Sequence, residues 1–212
     1  MNAVFNRSLS GLAVFFFGMT VLSCASIPKL RVEYRLPPKP EGFHGEKVYL
    51  EILDERADKG IIREGAKEDF ENFSGNVSLS VARPHDTGFM IGLYGPVELV
   101  EEGFARRLKD AGLKVASSRS QSELALQLVL KNLSLDLANR RWVAEMAYEA
   151  RLRKSGRVLS SQSVSGRVER YKLYGRGQAD KAMGEVFTDT VNRLDVLELF
   201  KKAGLMGDDS GS

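Results

Sequence analysis

Leu124–Lys154 reads LALQLVLKNLSLDLANRRWVAEMAYEARLRK, and after Ser155-Gly156 the run Arg157–Tyr171 continues RVLSSQSVSGRVERY. In a β-strand successive side chains alternate between faces, so residues two apart share a side. From Arg141 to Lys154, Trp142, Ala144, Met146, Tyr148, Ala150 and Leu152 fall on one side, and Glu145, Glu149, Arg151 and Arg153 on the other. That is the pattern of a half-buried strand. Upstream, the leucines of 124–130 hold even positions and those of 133–137 odd ones. One face collects both sets only if an extra residue intervenes, so a β-bulge is predicted near Lys131-Asn132. Asn139 falls in the turn between these strands, and Ser155-Gly156 turns the chain into a third, Ser-rich and more exposed strand over 157–171.

Outward from this antiparallel trio the pattern becomes helical. Val97, Val100, Phe104, Leu108 and Ala111 recur at three- and four-residue steps, the stripe of an amphipathic helix. Pro96 suits its first position and Gly112 the residue just past its end. Glu98, Glu101 and Glu102 sit near the positive end of its dipole, with Lys109 and Lys114 near the negative end. A second helix is predicted over Asp180–Leu194, through Ala182, Met183, Val186, Phe187, Val191 and Leu194, and Asp195 caps a short third one through Phe200 and Lys202. Lys47–Asp54 (KVYLEILD) reads as the first strand. From Arg56 to Gly95 glycines interrupt every pattern; Val77–Val81 and Met90–Tyr94 suggest short strands, while Phe73, Phe89 and Met90 either seal the core edge or form a contact surface. The expected fold is α+β in two layers: a mostly antiparallel sheet with two main helices on one face.

The chain has 212 residues, a net charge of +3 and one cysteine, Cys24. That length suits one domain. The small charge does not argue for nucleic acid, and a single cysteine excludes a disulfide or a cysteine-based metal site within the chain. Residues 1–23 have the three parts of an export signal: Arg7, the apolar run Gly11–Leu22 (GLAVFFFGMTVL), and Val21-Leu22-Ser23 ahead of Cys24. The apolar run is short for a bilayer span. Val21-Leu22-Ser23-Cys24 resembles the lipobox of bacterial lipoproteins, in which the cysteine takes a diacylglyceryl group and becomes the mature N-terminus. Ala25 follows where an Asp would resemble an inner-membrane retention signal, which favours the outer membrane, facing the periplasm. Residues 24–46, with Pro28, Pro37, Pro38 and Pro40, read as an extended tether, in which Val32 and Tyr34 suggest a short edge strand. The globular domain is expected over 47–205, and 206–212 (MGDDSGS) as a frayed, disordered tail.

This order of elements, with Asp54-Glu55-Arg56-Ala57-Asp58 after the first strand, Ala111-Gly112-Leu113-Lys114-Val115 closing the first helix, and Phe187-Thr188-Asp189-Thr190-Val191 leading to Leu199-Phe200-Lys201-Lys202, resembles the YajG-like family of bacterial lipoproteins. The chain departs from that pattern by a longer stretch between Gly65 and Gly95 and a tighter link at Leu194-Asp195. The resemblance implies an anchored envelope lipoprotein without an agreed biochemical activity.

Motifs that carry chemistry are sparse. His44 and His85 lie in no metal-ligand spacing, and neither a nucleophile elbow nor a phosphate-binding loop is present. No catalytic, metal or cofactor residue is expected, and no enzyme activity. Asp54, Arg56 and Asp58 either bind a cation or polar ligand, or form an ion pair that pins the strand–loop junction. Arg167, Arg170, Lys172 and Arg176, interleaved with Tyr171 and Tyr174, either contact an anionic ligand or keep a strand edge from pairing with another chain; export argues against RNA. The reading is a membrane-anchored, non-catalytic interaction module for an envelope protein or polymer. The alternative is a lipid- or glycan-handling accessory of an envelope transporter.

Overall fold

The three long strands are β6 (Leu124–Ala138), β7 (Arg141–Lys154) and β8 (Arg157–Tyr171) in the computed structural model, which describes residues 29–38 and 42–206. The register of β6 on β7 shifts between Leu130 and Asn132. Leu126, Leu128 and Leu130 face Leu152, Ala150 and Tyr148 before the shift, and Leu133, Leu135 and Leu137 face Met146, Ala144 and Trp142 after it. The bulge thus returns both leucine sets to one buried side. Asn139 and Arg140 turn the chain with φ of 50° and 62°, the doubly left-handed geometry that matches strand twist in a two-residue hairpin. β2 (Lys47–Asp54) runs parallel to β6, and the short β5 (Lys114–Ala116) parallel to β2, giving the order β5-β2-β6-β7-β8.

Two helices, α1 (Pro96–Asp110) and α2 (Gly177–Asn192), pack on the same face of this sheet. The Phe104 ring of α1 meets Tyr148 of β7 edge-on, with centroids 5.1 Å apart, and the Tyr148 hydroxyl donates to the Thr190 carbonyl of α2 at 2.8 Å. The other face carries polar pairs such as Arg151–Glu149 and Gln127–Glu51. Pro96 opens α1, Gly112 follows it at φ +96°, and the Asp195 side chain accepts the Glu198 N–H to start α3 (Val196–Lys202), as their residue types predict.

One expectation needs correction. The stretch read as a tether contains a full strand, β1 (Leu30–Arg35), in which Leu30, Val32 and Tyr34 are at most 1% exposed. Pro37 and Pro38 follow the strand rather than interrupt it, so the proline content does not forbid pairing. Among the described residues the folded body therefore includes Leu30–Arg35 and does not begin at Lys47. The region between Arg56 and Gly95 carries the two short strands that Val77–Val81 and Met90–Tyr94 suggest. After two short 3₁₀ turns it forms β3 (Val77–Ala82) and β4 (Phe89–Tyr94), which join β1 in a second sheet of order β1-β3-β4. β1 pairs with β3 in parallel, an association invisible to any local pattern because the partners lie more than forty residues apart. Both sheets and all three helices share one continuous core. Cys24, the export signal and residues 207–212 lie outside the described residues.

Candidate functional site

β1 is an edge strand, and its outer N–H and C=O groups need partners. α2 lies along that edge and supplies them from its side chains. Asp180 Oδ1 accepts from the Arg31 amide at 2.9 Å. Thr188 Oγ1 accepts from the Arg35 amide at 3.1 Å and donates to the Glu33 carbonyl at 3.2 Å. Asn192 Nδ2 donates to the Arg35 carbonyl at 2.9 Å. Four helical residues rise about 6.0 Å and two strand residues about 6.6 Å, so a stripe at every fourth helix position keeps step with alternate strand residues. Gly184 completes the stripe. A Cβ there would lie 3.2 Å from both the amide nitrogen and the carbonyl oxygen of Glu33, so only glycine lets the helix approach this closely without displacing the strand. The inner end of the stripe reaches the core, where Asn192 Oδ1 accepts the Tyr34 hydroxyl at 2.9 Å. Burial pushes the Tyr34 pKa well above the ordinary tyrosine value, so this hydroxyl stays a proton donor. Its ring meets Phe187 edge-on at 5.7 Å.

The outer side of α2, flanked by β1 and β8, lines an open groove of about 1050 Å³. Its walls are charged but largely self-neutralised. Arg35 pairs with Glu33 at 2.6 Å, Arg170 with Glu185, and Arg193 with Asp189. Arg31 and Lys181 have no ion-pair partner among the described residues. Burial raises the Asp180 carboxyl above its ordinary pKa, with the Arg31 amide pulling it partly back. Every carboxylate of the groove is thus committed to a guanidinium or a backbone amide. The arrangement suits reversible contact with a polar surface better than acid–base chemistry.

The four cations singled out in the sequence do not converge. Arg167 lies on the outer face of β8, bonded to Glu145 at 2.5 Å and Glu169 at 2.8 Å. Arg170 points to the opposite face, into the groove, against Glu185. Lys172 pairs with Asp69 at 2.6 Å and sits 5.6 Å from the Trp142 ring centroid. Arg176 donates to the Asp69 carbonyl at 3.1 Å and lies over Phe70 at 5.5 Å. They occupy three separate places, each with its own protein partner. The acidic triplet separates as well. Arg56, only 3% exposed, forks onto Asp54 through Nε at 2.9 Å and Nη2 at 3.0 Å, while Asp58 turns away to Arg63 and the Gly60 amide. The Arg56 hydrogen bonds hold the Asp54 carboxyl below its ordinary pKa. The ion-pair reading describes this junction. Among the described residues no group of three His, Cys, Asp or Glu is placed to hold a metal, and no helix is long and apolar enough to cross a membrane.

The residues that build the groove, Asp180, Gly184, Thr188 and Asn192, were not legible as a site. Their signal is a small or polar residue at every fourth position of a helix whose other side is apolar. It acquires meaning only once β1 is recognised as a strand.

No family model matches the sequence, and no curated protein does. Among solved structures the chain is similar to a protein of Xanthomonas campestris described by the family model DUF330, with a TM-score of 0.50 and 15% identity over 84% of this chain and 96% of that one. That likeness shows the fold. A minor lipoprotein from Acinetobacter baumannii matches at a TM-score of 0.39 and 10% identity, over 75% of this chain and 94% of that one. The PelC dodecamer from Paraburkholderia phytofirmans matches at 0.35 and 11%, over 80% and 96%. Both are too distant to carry an argument.

Proposed function

We propose that the protein is a bacterial envelope lipoprotein, anchored by lipid on Cys24, whose α+β domain is a non-catalytic interaction module for a periplasmic protein partner or envelope polymer. The observation that carries this reading is the position of the sole cysteine, directly after an apolar run and Val21-Leu22-Ser23. One acyl chain binds a bilayer weakly, whereas the two or three of a lipoprotein N-terminus hold it stably. The resemblance to YajG-like lipoproteins supports the same assignment, and Ala25 favours the outer membrane. The groove beside α2 is the contact surface, with Arg31 and Lys181 as its uncommitted cations. Lipid handling is the less supported alternative. It needs an apolar slot between sheet and helices, and among the described residues Phe104, Tyr148 and Phe187 fill that space with side chains at most 2% exposed.

Growing cells with an alkyne fatty acid tests the reading. The wild-type chain takes up the label and sediments with membranes, and Cys24→Ser does neither. Equal labelling of the two would overturn the anchor.

A further inference from the structure

One end of the fold gathers features that the groove does not use. β8 ends at Tyr171, opposite Arg141, and the next amide, of Lys172, donates to the Arg140 carbonyl at 2.8 Å. The β6–β7 hairpin tip and the β8–α2 loop therefore lie side by side. α2 then starts at Gly177 and runs back antiparallel to β8, since Arg170 meets Glu185 and the Ser165 carbonyl meets Arg193 farther along. β1 runs in the same direction as α2, with Arg31 against Asp180 and Arg35 against Thr188. The N-terminal end of β1 is thus level with the first turn of α2, beside the loop that precedes it.

That loop presents Leu173 at 68% and Tyr174 at 102% exposure, next to Tyr171 at 64%. Lys29 and Arg140 flank it, neither with an ion-pair partner among the described residues, whereas Lys172 and Arg176 are held by Asp69 and turn inward. Nothing in the core requires a leucine and a tyrosine at these exposed positions. An aromatic ring with a polar tip, an aliphatic neighbour and flanking cations is the composition that settles at the headgroup level of a bilayer.

The chain length to the anchor selects the occupant. Cys24 precedes Lys29 by five residues, which span at most about 18 Å when fully extended. Thirteen strand residues separate Val158 from Tyr171, about 43 Å at 3.3 Å each. A lipid on Cys24 keeps the Leu173 end within reach of the headgroups, whereas the Val158 end meets them only when the domain lies flat. We propose that the β8–α2 loop, through Leu173 and Tyr174, is a second membrane contact that stands the domain upright on the bilayer and leaves the groove beside α2 facing sideways, open to a partner. This rests on the lipid anchor proposed above.

The test uses the full-length, lipid-modified chain reconstituted into vesicles of phosphatidylethanolamine and phosphatidylglycerol. Cys24 is blocked by its lipid, so Tyr174→Cys and Val158→Cys each provide one thiol for an environment-sensitive fluorophore. Both positions are exposed, so neither change disturbs the core. We expect the probe at 174 to shift its emission to the blue and to be quenched by spin-labelled lipid, with the probe at 158 unaffected. Adding Leu173→Ser to Tyr174→Cys reduces that quenching. An unquenched probe at 174 on a chain whose mass shows the lipid overturns the loop contact and leaves the anchor standing. Equal quenching at both sites also overturns it, because the domain then lies flat. An unmodified Cys24 overturns the anchor, and the loop proposal with it.

Discussion

Replacing Asn192 with alanine removes the side chain that joins α2, the β1 edge and the core. Two hydrogen bonds disappear: Nδ2 to the Arg35 carbonyl and the Tyr34 hydroxyl to Oδ1, both 2.9 Å. The first is at the surface, where water substitutes, and its net worth is about 0.5–1.5 kcal/mol. The second leaves the hydroxyl of a fully buried tyrosine without a partner, which costs about 1–3 kcal/mol. The expected loss is therefore roughly 1.5–4.5 kcal/mol, read as a lower urea midpoint with an unchanged slope. A double-mutant cycle separates the two parts. Tyr34→Phe removes the stranded hydroxyl, so Asn192→Ala in that background costs only the surface bond, and the two changes are less than additive by about 1–3 kcal/mol. Hydrogen exchange supplies a local readout: the Arg35 amide, whose Thr188 partner sits one helical turn before Asn192, exchanges faster in Asn192→Ala. Additivity of the two substitutions within about 0.3 kcal/mol, or an unaltered Arg35 amide, would refute the account of α2 as the partner of the β1 edge.

Gly112→Ala must adopt φ +96° and push its methyl onto the Phe43 carbonyl, so it destabilises by more than about 1 kcal/mol in the same urea assay; a neutral result means that the turn after α1 is not held as described. Asp54→Asn exchanges a carboxylate forked by buried Arg56 for an amide and lowers stability at pH 7 by about 1–3 kcal/mol. The Asp54 pKa is depressed in the fold, so its contribution is complete above the unfolded value of about 3.9 and is lost as pH falls through the lower folded value. Melting temperature plotted against pH therefore falls less steeply below about pH 4 in Asp54→Asn than in the wild type, and identical acid slopes would show that this ion pair is not the titrating element.

The legible part of the fold is the part with local periodicity. β6 to β8, the bulge after Leu130, α1 with its flanking Pro96 and Gly112, and the Asp195 cap each follow from residues within a few positions of one another. The second sheet escaped because its partners are remote. Leu30-Val32-Tyr34 alternates as well as any strand, yet nothing nearby in the chain shows that Val77–Ala82 will pair with it in parallel. Proline outside the paired segment was then read as a property of the whole stretch. The candidate site was hidden for the same reason. Asp180, Gly184, Thr188 and Asn192 are ordinary helix residues until a strand edge lies against them. Charge misled in the opposite direction. Arg167, Arg170, Lys172 and Arg176 cluster in sequence, but strand alternation sends the first two to opposite faces, and Asp69, a hundred residues upstream, takes the other pair. The Asp54–Arg56 fork was anticipated because both partners lie two residues apart at the end of one strand.

The central claim is that lipid on Cys24 holds this domain at a membrane. Intact-mass and N-terminal fragment analysis of the chain extracted from membranes tests it most directly. The account predicts a mature protein that begins at Cys24 and carries the added mass of a diacylglyceryl group and an acyl chain. A chain that retains residues before Cys24, or that begins there with a free thiol, would contradict it.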